Sequence, residues 1–174
     1  MNGVDLASLI LRLVVGFSML AHGWNHAFRG GKLAGTGRWF ESIGIKPGWL
    51  HARLATYTEL VAGPMLMLGL LTPLGCAAVI GTMGVAFIAN HLPVGYFVFK
   101  RPTEGYEYVL LLIASAVAIA ALGGGDISLD NALDLTDDLS GADIGGWTFL
   151  AGAGAAALVL GLCWRKPKPA EPAT

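Results

Sequence analysis

Charged residues are scarce in this sequence of 174 residues, where Asp, Glu, Lys and Arg together make up only 13%. An ordinary soluble domain carries about 25%. Apolar residues are correspondingly abundant, at 55% of the chain, and the mean hydropathy is +0.63. This composition argues against a soluble enzyme and predicts an integral membrane protein.

Cysteine is also rare. Cys76 and Cys163 are far apart, each within an apolar segment, and no Cys-x-x-Cys spacing occurs. Both are predicted to be small apolar helix residues, which argues against dithiol exchange chemistry. The sequence also lacks a nucleotide-binding fingerprint. No basic segment precedes the first apolar run, so we expect the first helix to be retained rather than removed as a signal peptide.

Five mainly apolar runs approach the length of about 20 residues that a helix needs to cross a bilayer. They cover residues 5–27, 50–71, 73–92, 106–123 and 146–164. Only a short turn separates the second run from the third, which predicts a tight antiparallel hairpin. The runs use up most of the chain and leave no room for a soluble catalytic domain. The predicted fold is therefore an all-α, antiparallel transmembrane helix bundle.

Charges between these runs are sorted by sign. In a five-span arrangement all nine basic residues outside the runs fall on one side, whereas the loop 124–145 carries six aspartates and no basic residue. Because cytoplasmic loops are enriched in Lys and Arg, we expect the basic side to be cytoplasmic. The amino terminus is then outside, and the basic, Pro-rich tail 165–174 is cytoplasmic.

Polar residues within the runs carry the functional signal, because a charge in hydrocarbon costs about 2.5 kcal/mol or more unless it is paired or faces a polar cavity. Glu59 lies in the second run. Arg12, His22 and His26 fall within a sector of roughly 80° on the first helix, at about 100° per residue. At about 1.5 Å per residue, Glu59 has a depth between those of Arg12 and His22. An Arg12–Glu59 ion pair with His22 on its cytoplasmic side is therefore geometrically allowed.

Two interpretations of this cluster stay open at the level of sequence. One is a structural lock between helices; the other is a polar pocket for a small molecule or a proton relay. His22 and His26 are four residues apart, a spacing that can place two imidazoles on one metal. No third ligand is fixed by spacing, so we predict no metal site, and haem ligation is disfavoured.

Several polar residues lie at the cytoplasmic ends of the runs. His51 and Arg53 are expected to reach the lipid headgroups, and His91 is expected at the interface by the same argument. Glu107 lies in the first turn of the fourth helix, where the helix dipole favours an acid. Tyr108 anchors the interface, or it points into the bundle with Glu107 and extends the polar cluster.

An ordered set of short motifs runs through the chain. The motifs are Arg12-x3-Gly16, Ala21-His22-Gly23, Glu59-x3-Gly63, Leu66 to Gly69 with Thr72, His91-x3-Gly95-Tyr96-Phe97, Glu107-Tyr108, and Gly124 to Asp130. In this order they resemble the DoxX family of small bacterial membrane proteins over residues 9–130. The resemblance implies a four-helix core within residues 1–130, with six recurrent polar positions: Arg12, His22, Glu59, His91, Glu107 and Tyr108.

The chain departs from the family pattern in two places. Where the family resembles His-Gly-x-x-Lys, this chain has His26 in place of the lysine. The acidic extracytoplasmic loop 131–145, the additional transmembrane helix 146–164 and the tail 165–174 lie beyond the usual four-helix core. We expect the segment 131–164 to be a docking addition for other membrane subunits.

The resemblance implies an integral subunit of a respiratory or redox complex in the bacterial inner membrane, since relatives resemble subunits of a thiosulfate:quinone oxidoreductase. A quinone or similar lipid-soluble carrier is the ligand it suggests for a pocket of Arg12, His22 and Glu59. Hydrogen-bond donors and a carboxylate beside apolar walls suit the carbonyls and ring of a quinone. Lipid and other membrane subunits are the expected partners; nucleic acid is not.

No autonomous enzyme activity is assigned on these grounds. The alternative is a non-catalytic scaffold or assembly subunit, in which the buried charges serve only helix pairing. Small-solute transport comes third, because five helices make a cramped pore and no pair of broken helices indicates inverted repeats.

Overall fold

The computed structural model describes residues 2–99 and 103–167. About 74% of the chain is helical, and the described residues contain no β-strand. Three of the basic residues that entered the charge argument, Lys100, Arg101 and Lys168, lie outside the described residues. The prediction of an all-α protein is confirmed.

The described residues form seven helices, and α4 continues without a break into one turn of π-helix at Phe87–His91. The helices are α1 (Gly3–Phe28), α2 (Lys32–Ser42), α3 (Gly48–Leu68), α4 (Thr72–Ala86), α5 (Glu107–Leu122), α6 (Leu129–Ala132) and α7 (Ala142–Cys163).

The five apolar runs correspond to α1, α3, α4 with its π-turn, α5 and α7. Three segments are long and apolar enough to cross a membrane, namely Gly3–Phe28, Thr72–His91 and Ala142–Cys163. α5 is apolar but has only 16 residues. α3 has 21 residues, but it carries polar side chains and is not among the three. The chain is therefore a multi-pass membrane protein, and the five-span arrangement stays a prediction.

The loop predicted over 28–49 contains α2, which the apolar runs do not indicate. α2 is short and amphipathic: Phe40 is buried, whereas the preceding residue, Trp39, is 41% exposed. It packs on α3 and α1. The buried face of α2 is thus the one that packs on α3 and α1.

Glycines allow a close contact between α1 and α3, the two helices with the most extensive contact among the described residues. A Cβ on Gly16 would lie 2.7 Å from the carbonyl oxygen of Gly63, and a Cβ on Gly63 would lie 2.8 Å from that of Gly16. Small residues allow such close backbone approach in membranes. α4 packs on α3, α5 and α7, and the apolar core between them includes Met19, Leu66 and Ile119.

The two ends of the bundle differ in chemistry. At the acidic end, Asp5 of α1 accepts a hydrogen bond from the Asp126 amide at 3.2 Å, and α6 lies in the same loop. At the basic end, the Trp164 indole donates to the Ile43 carbonyl at 2.9 Å, which joins the end of α7 to the loop before α3. This placement agrees with the sorting of charges seen in the sequence.

Candidate functional site

A cavity of about 280 Å³ lies in the half of the bundle nearer the basic end, among α1, α2, α3, α4 with its π-turn, α5 and α7. Most of its walls are apolar. All four histidines of the chain contribute to its lining, together with one carboxylate and one phenol. These polar residues are His22, His26, His51, Glu59, His91 and Tyr108.

Among the described residues Glu59 is the only acid that lines the cavity, and only 4% of it is exposed. Its Oε2 atom lies 3.0 Å from Nδ1 of His26. The orientation of the two groups is not that of a hydrogen bond, and neither atom has a hydrogen-bond partner. Buried polar groups are normally hydrogen-bonded. The pair therefore keeps an acceptor and an imidazole nitrogen that a ligand or a proton can engage.

His91 lies on the π-turn, and its side chain is held on both ring nitrogens. Nδ1 is 2.7 Å from the Glu104 carbonyl oxygen, which only accepts, so Nδ1 carries the hydrogen. Nε2 therefore accepts, with the Tyr108 hydroxyl 2.9 Å away and Nδ2 of Asn90 3.2 Å away. The expected interfacial position of His91 is wrong, since the residue is 5% exposed. Tyr108 points into the bundle, as one of the two sequence-based alternatives proposed.

His51 is a member of the site that sequence reasoning missed. It was expected among the headgroups, but it is only 7% exposed, lines the cavity and has no hydrogen-bond partner for Nε2. The signal was present in the spacing. His51, Ala55 and Glu59 follow one another at intervals of four residues, which places them on one face of α3. All three line the cavity.

Arg12 does not pair with Glu59, so that prediction is wrong. The guanidinium is fully buried away from the cavity, and it donates to the Leu66 carbonyl at 3.1 Å and to the Ile127 carbonyl at 2.6 Å. The reason is that the last carbonyls of a helix have no partner within it. α3 ends at Leu68, and Arg12 is long enough to satisfy this end from α1.

Asp130 accepts hydrogen bonds from the backbone amides at the start of α4, just as Arg12 donates to the carbonyls at the end of α3. Its Oδ1 accepts from the Leu71 amide at 2.6 Å, and its Oδ2 accepts from the Thr72 amide at 3.0 Å and the Thr72 hydroxyl at 2.6 Å. Its own amide donates to the Gly69 carbonyl at 2.8 Å. Arg12 and Asp130 thus hold the turn between α3 and α4, and we call these two residues the turn clamp.

Glu107 also lies outside the cavity lining. Its Oε2 accepts from the Val98 amide at 3.3 Å, so it supports the loop after the π-turn rather than the polar cluster. Among the residues that the structure describes, no group of three or more His, Cys, Asp or Glu side chains is arranged to hold a metal ion. Of the seven predicted site residues, five come together in the cavity: His22, His26, Glu59, His91 and Tyr108.

The sequence profile of the DoxX family matches residues 7–92, which run from α1 to the π-turn. The chain belongs to the DoxX family. The DoxX segment supplies all four histidines and Glu59, whereas Tyr108, the loop with Asp130 and the whole of α7 lie beyond the match. Neither the curated proteins nor the solved structures include a match to the chain.

Proposed function

We propose that this DoxX protein is a membrane subunit of a respiratory or redox complex and that its cavity binds a quinone or a similar lipid-soluble carrier. The observation that carries the proposal is a mainly apolar cavity with unpartnered, buried polar atoms on Glu59 and His51. Pockets for small molecules combine apolar walls with a few placed polar groups, and they start at about 300 Å³. A volume of about 280 Å³ suits a compact head group.

The lining offers a route for protons. Reduction of a quinone to a quinol consumes two electrons and two protons. A redox partner subunit supplies the electrons, and Glu59 with His26, 3.0 Å apart, is placed to pass protons to a carbonyl oxygen in the cavity. Tyr108 and His91 form a second hydrogen-bonded pair on the wall. Apolar side chains make up most of the wall around both pairs.

The same proposal includes the placement in the membrane. α3 and α5 cross the bilayer together with the three longer apolar segments, and the basic end faces the cytoplasm of a bacterial inner membrane. The cavity then lies in the cytoplasmic half of the bilayer. A lipid-soluble carrier reaches it from the membrane, whereas protons reach it from the cytoplasmic side.

The test is Glu59→Gln. Glutamine keeps the size of the side chain but neither carries a negative charge nor takes up a proton, so His26 loses its ionic partner. We expect the quinone that copurifies with the protein, measured by extraction and mass spectrometry, to fall at least fivefold. Glu107→Gln, which changes a carboxylate outside the cavity, is the matched control and is expected to keep wild-type occupancy. Unchanged occupancy in a folded Glu59→Gln protein contradicts the proposal.

A scaffold or assembly subunit is the second candidate, and the turn clamp favours it. Arg12 and Asp130 are buried charges whose contacts are to backbone groups and Thr72, which is a structural use. If a redox complex assembled with Glu59→Gln transfers electrons at the wild-type rate, the scaffold reading is preferred.

A further inference from the structure

Two further hollows lie next to the cavity along the surface of the bundle. The first, of about 460 Å³, shares Thr58, Ala77 and Ala155 with the cavity. The second, of about 400 Å³, shares Leu74, Ala77 and Ala151 with the first. Because neighbouring hollows share lining residues, the three spaces lie side by side along the bundle. We call the two outer hollows the groove.

Small side chains on two helices create the groove. α3 and α7 both pack on α4, which forms the floor. α7 approaches α4 closely at Gly152, where an added Cβ would lie 2.7 Å from the Ala77 carbonyl oxygen. Alanines beside this contact have small side chains, so they leave the space of the groove unfilled. From Gly81 at the cavity to Leu74 near the acidic end the groove extends about 10 Å, at about 1.5 Å per residue.

The two parts of this space differ in chemistry. The groove is lined almost wholly by apolar side chains, with Thr58 and Thr148 as its polar members. The cavity holds Glu59, which is more than nine-tenths buried and has no hydrogen-bond partner for Oε2, and His51, whose Nε2 is also unpartnered. An apolar groove beside buried polar atoms that lack hydrogen bonds matches a molecule with an apolar chain and a polar head.

We propose that cavity and groove together bind one amphiphile, with a compact head against Glu59 and His51 and a single apolar chain lying between α3 and α7. This inference rests on the proposed function, for which it specifies a carrier that keeps its chain in the membrane while it reacts. It also gives α7 a role. This helix, which lies outside the DoxX match, supplies the second wall of the groove through Ala151 and Ala155.

The apolar chain of the ligand is expected to orient the ligand rather than to increase its affinity. Lipid tails are as apolar as the groove, so a chain gains no hydrophobic free energy by leaving the bilayer for it. The groove instead orients an apolar chain whose head is already bound in the cavity. An ordinary membrane lipid lacks the head that holds it there.

Photolabelling of the full chain in lipid nanodiscs tests this inference. The probe is a methylated benzoquinone with a ten-carbon chain that bears a diazirine near its end, and mass spectrometry locates the label. We expect label on α4 and α7 at the groove to exceed label around Leu111, a lipid-facing residue of α5 that is 64% exposed, at least fivefold. The same quinone without a chain should reduce groove labelling at least fivefold.

Variants on α7 provide the matched comparison. Ala155→Phe fills the groove, so labelling there should fall at least fivefold. Ala157→Phe makes the same change at an exposed position that lines none of the three hollows, and labelling should not change. Equal loss in both variants, with both proteins folded, overturns the inference.

Binding of the chain-free quinone, measured by calorimetry against empty nanodiscs, tests the proposed function separately. One result is that the chain-free quinone binds while labelling of the groove equals that around Leu111 and is changed by neither the competitor nor Ala155→Phe. In that case the groove holds ordinary lipid. The inference is then overturned and the proposed function stands. The opposite result is that the quinone does not bind, whereas an alcohol with the same diazirine chain labels the groove and this labelling falls in Ala155→Phe but not in Ala157→Phe. The groove assignment is then supported and the quinone head is wrong.

Discussion

Replacement of Asp130 by alanine should destabilise the bundle more than most changes in its loops. Asp130 is fully buried, and its carboxylate is the acceptor for two backbone amides and one hydroxyl at the start of α4. The first amides of a helix have no partner within the helix, so a side chain or water must satisfy them. Alanine leaves the amides of Leu71 and Thr72 without their acceptor.

The size of the effect follows from these contacts. A buried donor without a partner costs about 1–3 kcal/mol, so two amides set a range of about 2–6 kcal/mol. The Thr72 hydroxyl can rotate towards another acceptor and adds little. Leu71 is 40% exposed, so water can reach its amide and reduce the cost there. We therefore expect the free energy of unfolding to fall by about 2–4 kcal/mol.

The assay is unfolding by SDS titration in mixed micelles, followed by circular dichroism. Asp138→Ala removes an exposed carboxylate from the same loop, and it should change the free energy of unfolding by no more than about 0.5 kcal/mol. Asp130→Asn keeps one acceptor oxygen and should fall between Asp130→Ala and the wild type. If Asp130→Ala unfolds within about 0.5 kcal/mol of the wild type, the turn clamp does not stabilise the α3–α4 turn as argued.

Three further changes test other contacts by the same titration. Gly63→Leu should prevent folding, since even a Cβ there meets backbone atoms of α1, whereas Gly154→Leu has open space and should fold normally. His91→Phe and Tyr108→Phe should show a coupling of about 0.5–1.5 kcal/mol in a double-mutant cycle, because each removes the same hydrogen bond. Trp164→Phe should cost about 1 kcal/mol, because the Ile43 carbonyl at the basic end loses the indole N–H that donates to it. Additive effects in the cycle, or a folded Gly63→Leu protein, contradict these assignments.

The helices that apolar composition alone dictates were predictable. The run over 5–27 corresponds to Gly3–Phe28, and the run over 146–164 corresponds to Ala142–Cys163. α2 was not predictable in this way, because a short amphipathic helix owes its stability to the surface beneath it. The π-turn at Phe87–His91 likewise has no signal in hydropathy. It determines where His91 points, and the interfacial position expected for that residue was wrong for this reason.

The partner of Glu59 depends on the axial register of α1 and α3, which depth estimates did not resolve. Arg12 and His26 lie on one face of α1 but about 21 Å apart along it. The contact of Gly16 with Gly63, and that of Gly23 with Glu59, fix the register. Glu59 then lies near the end of α1 that bears His26. Arg12 lies beyond Gly63, beside the last carbonyls of α3, and donates to those of Leu66 and Met67 instead.

The distribution of unsatisfied atoms distinguishes the two polar regions of this charge-poor protein. Six buried polar side-chain atoms among the described residues lack a hydrogen-bond partner, and three of them belong to the cavity lining: His26 Nδ1, His51 Nε2 and Glu59 Oε2. At the turn clamp one such atom occurs, Arg12 Nε, whereas both carboxylate oxygens of Asp130 are used. A hydroxyl can rotate to find a partner, but a carboxylate or imidazole held on a helix cannot. An atom buried without a hydrogen bond costs about 1–3 kcal/mol, so the ligand proposed above would offset part of that cost by supplying the missing partners.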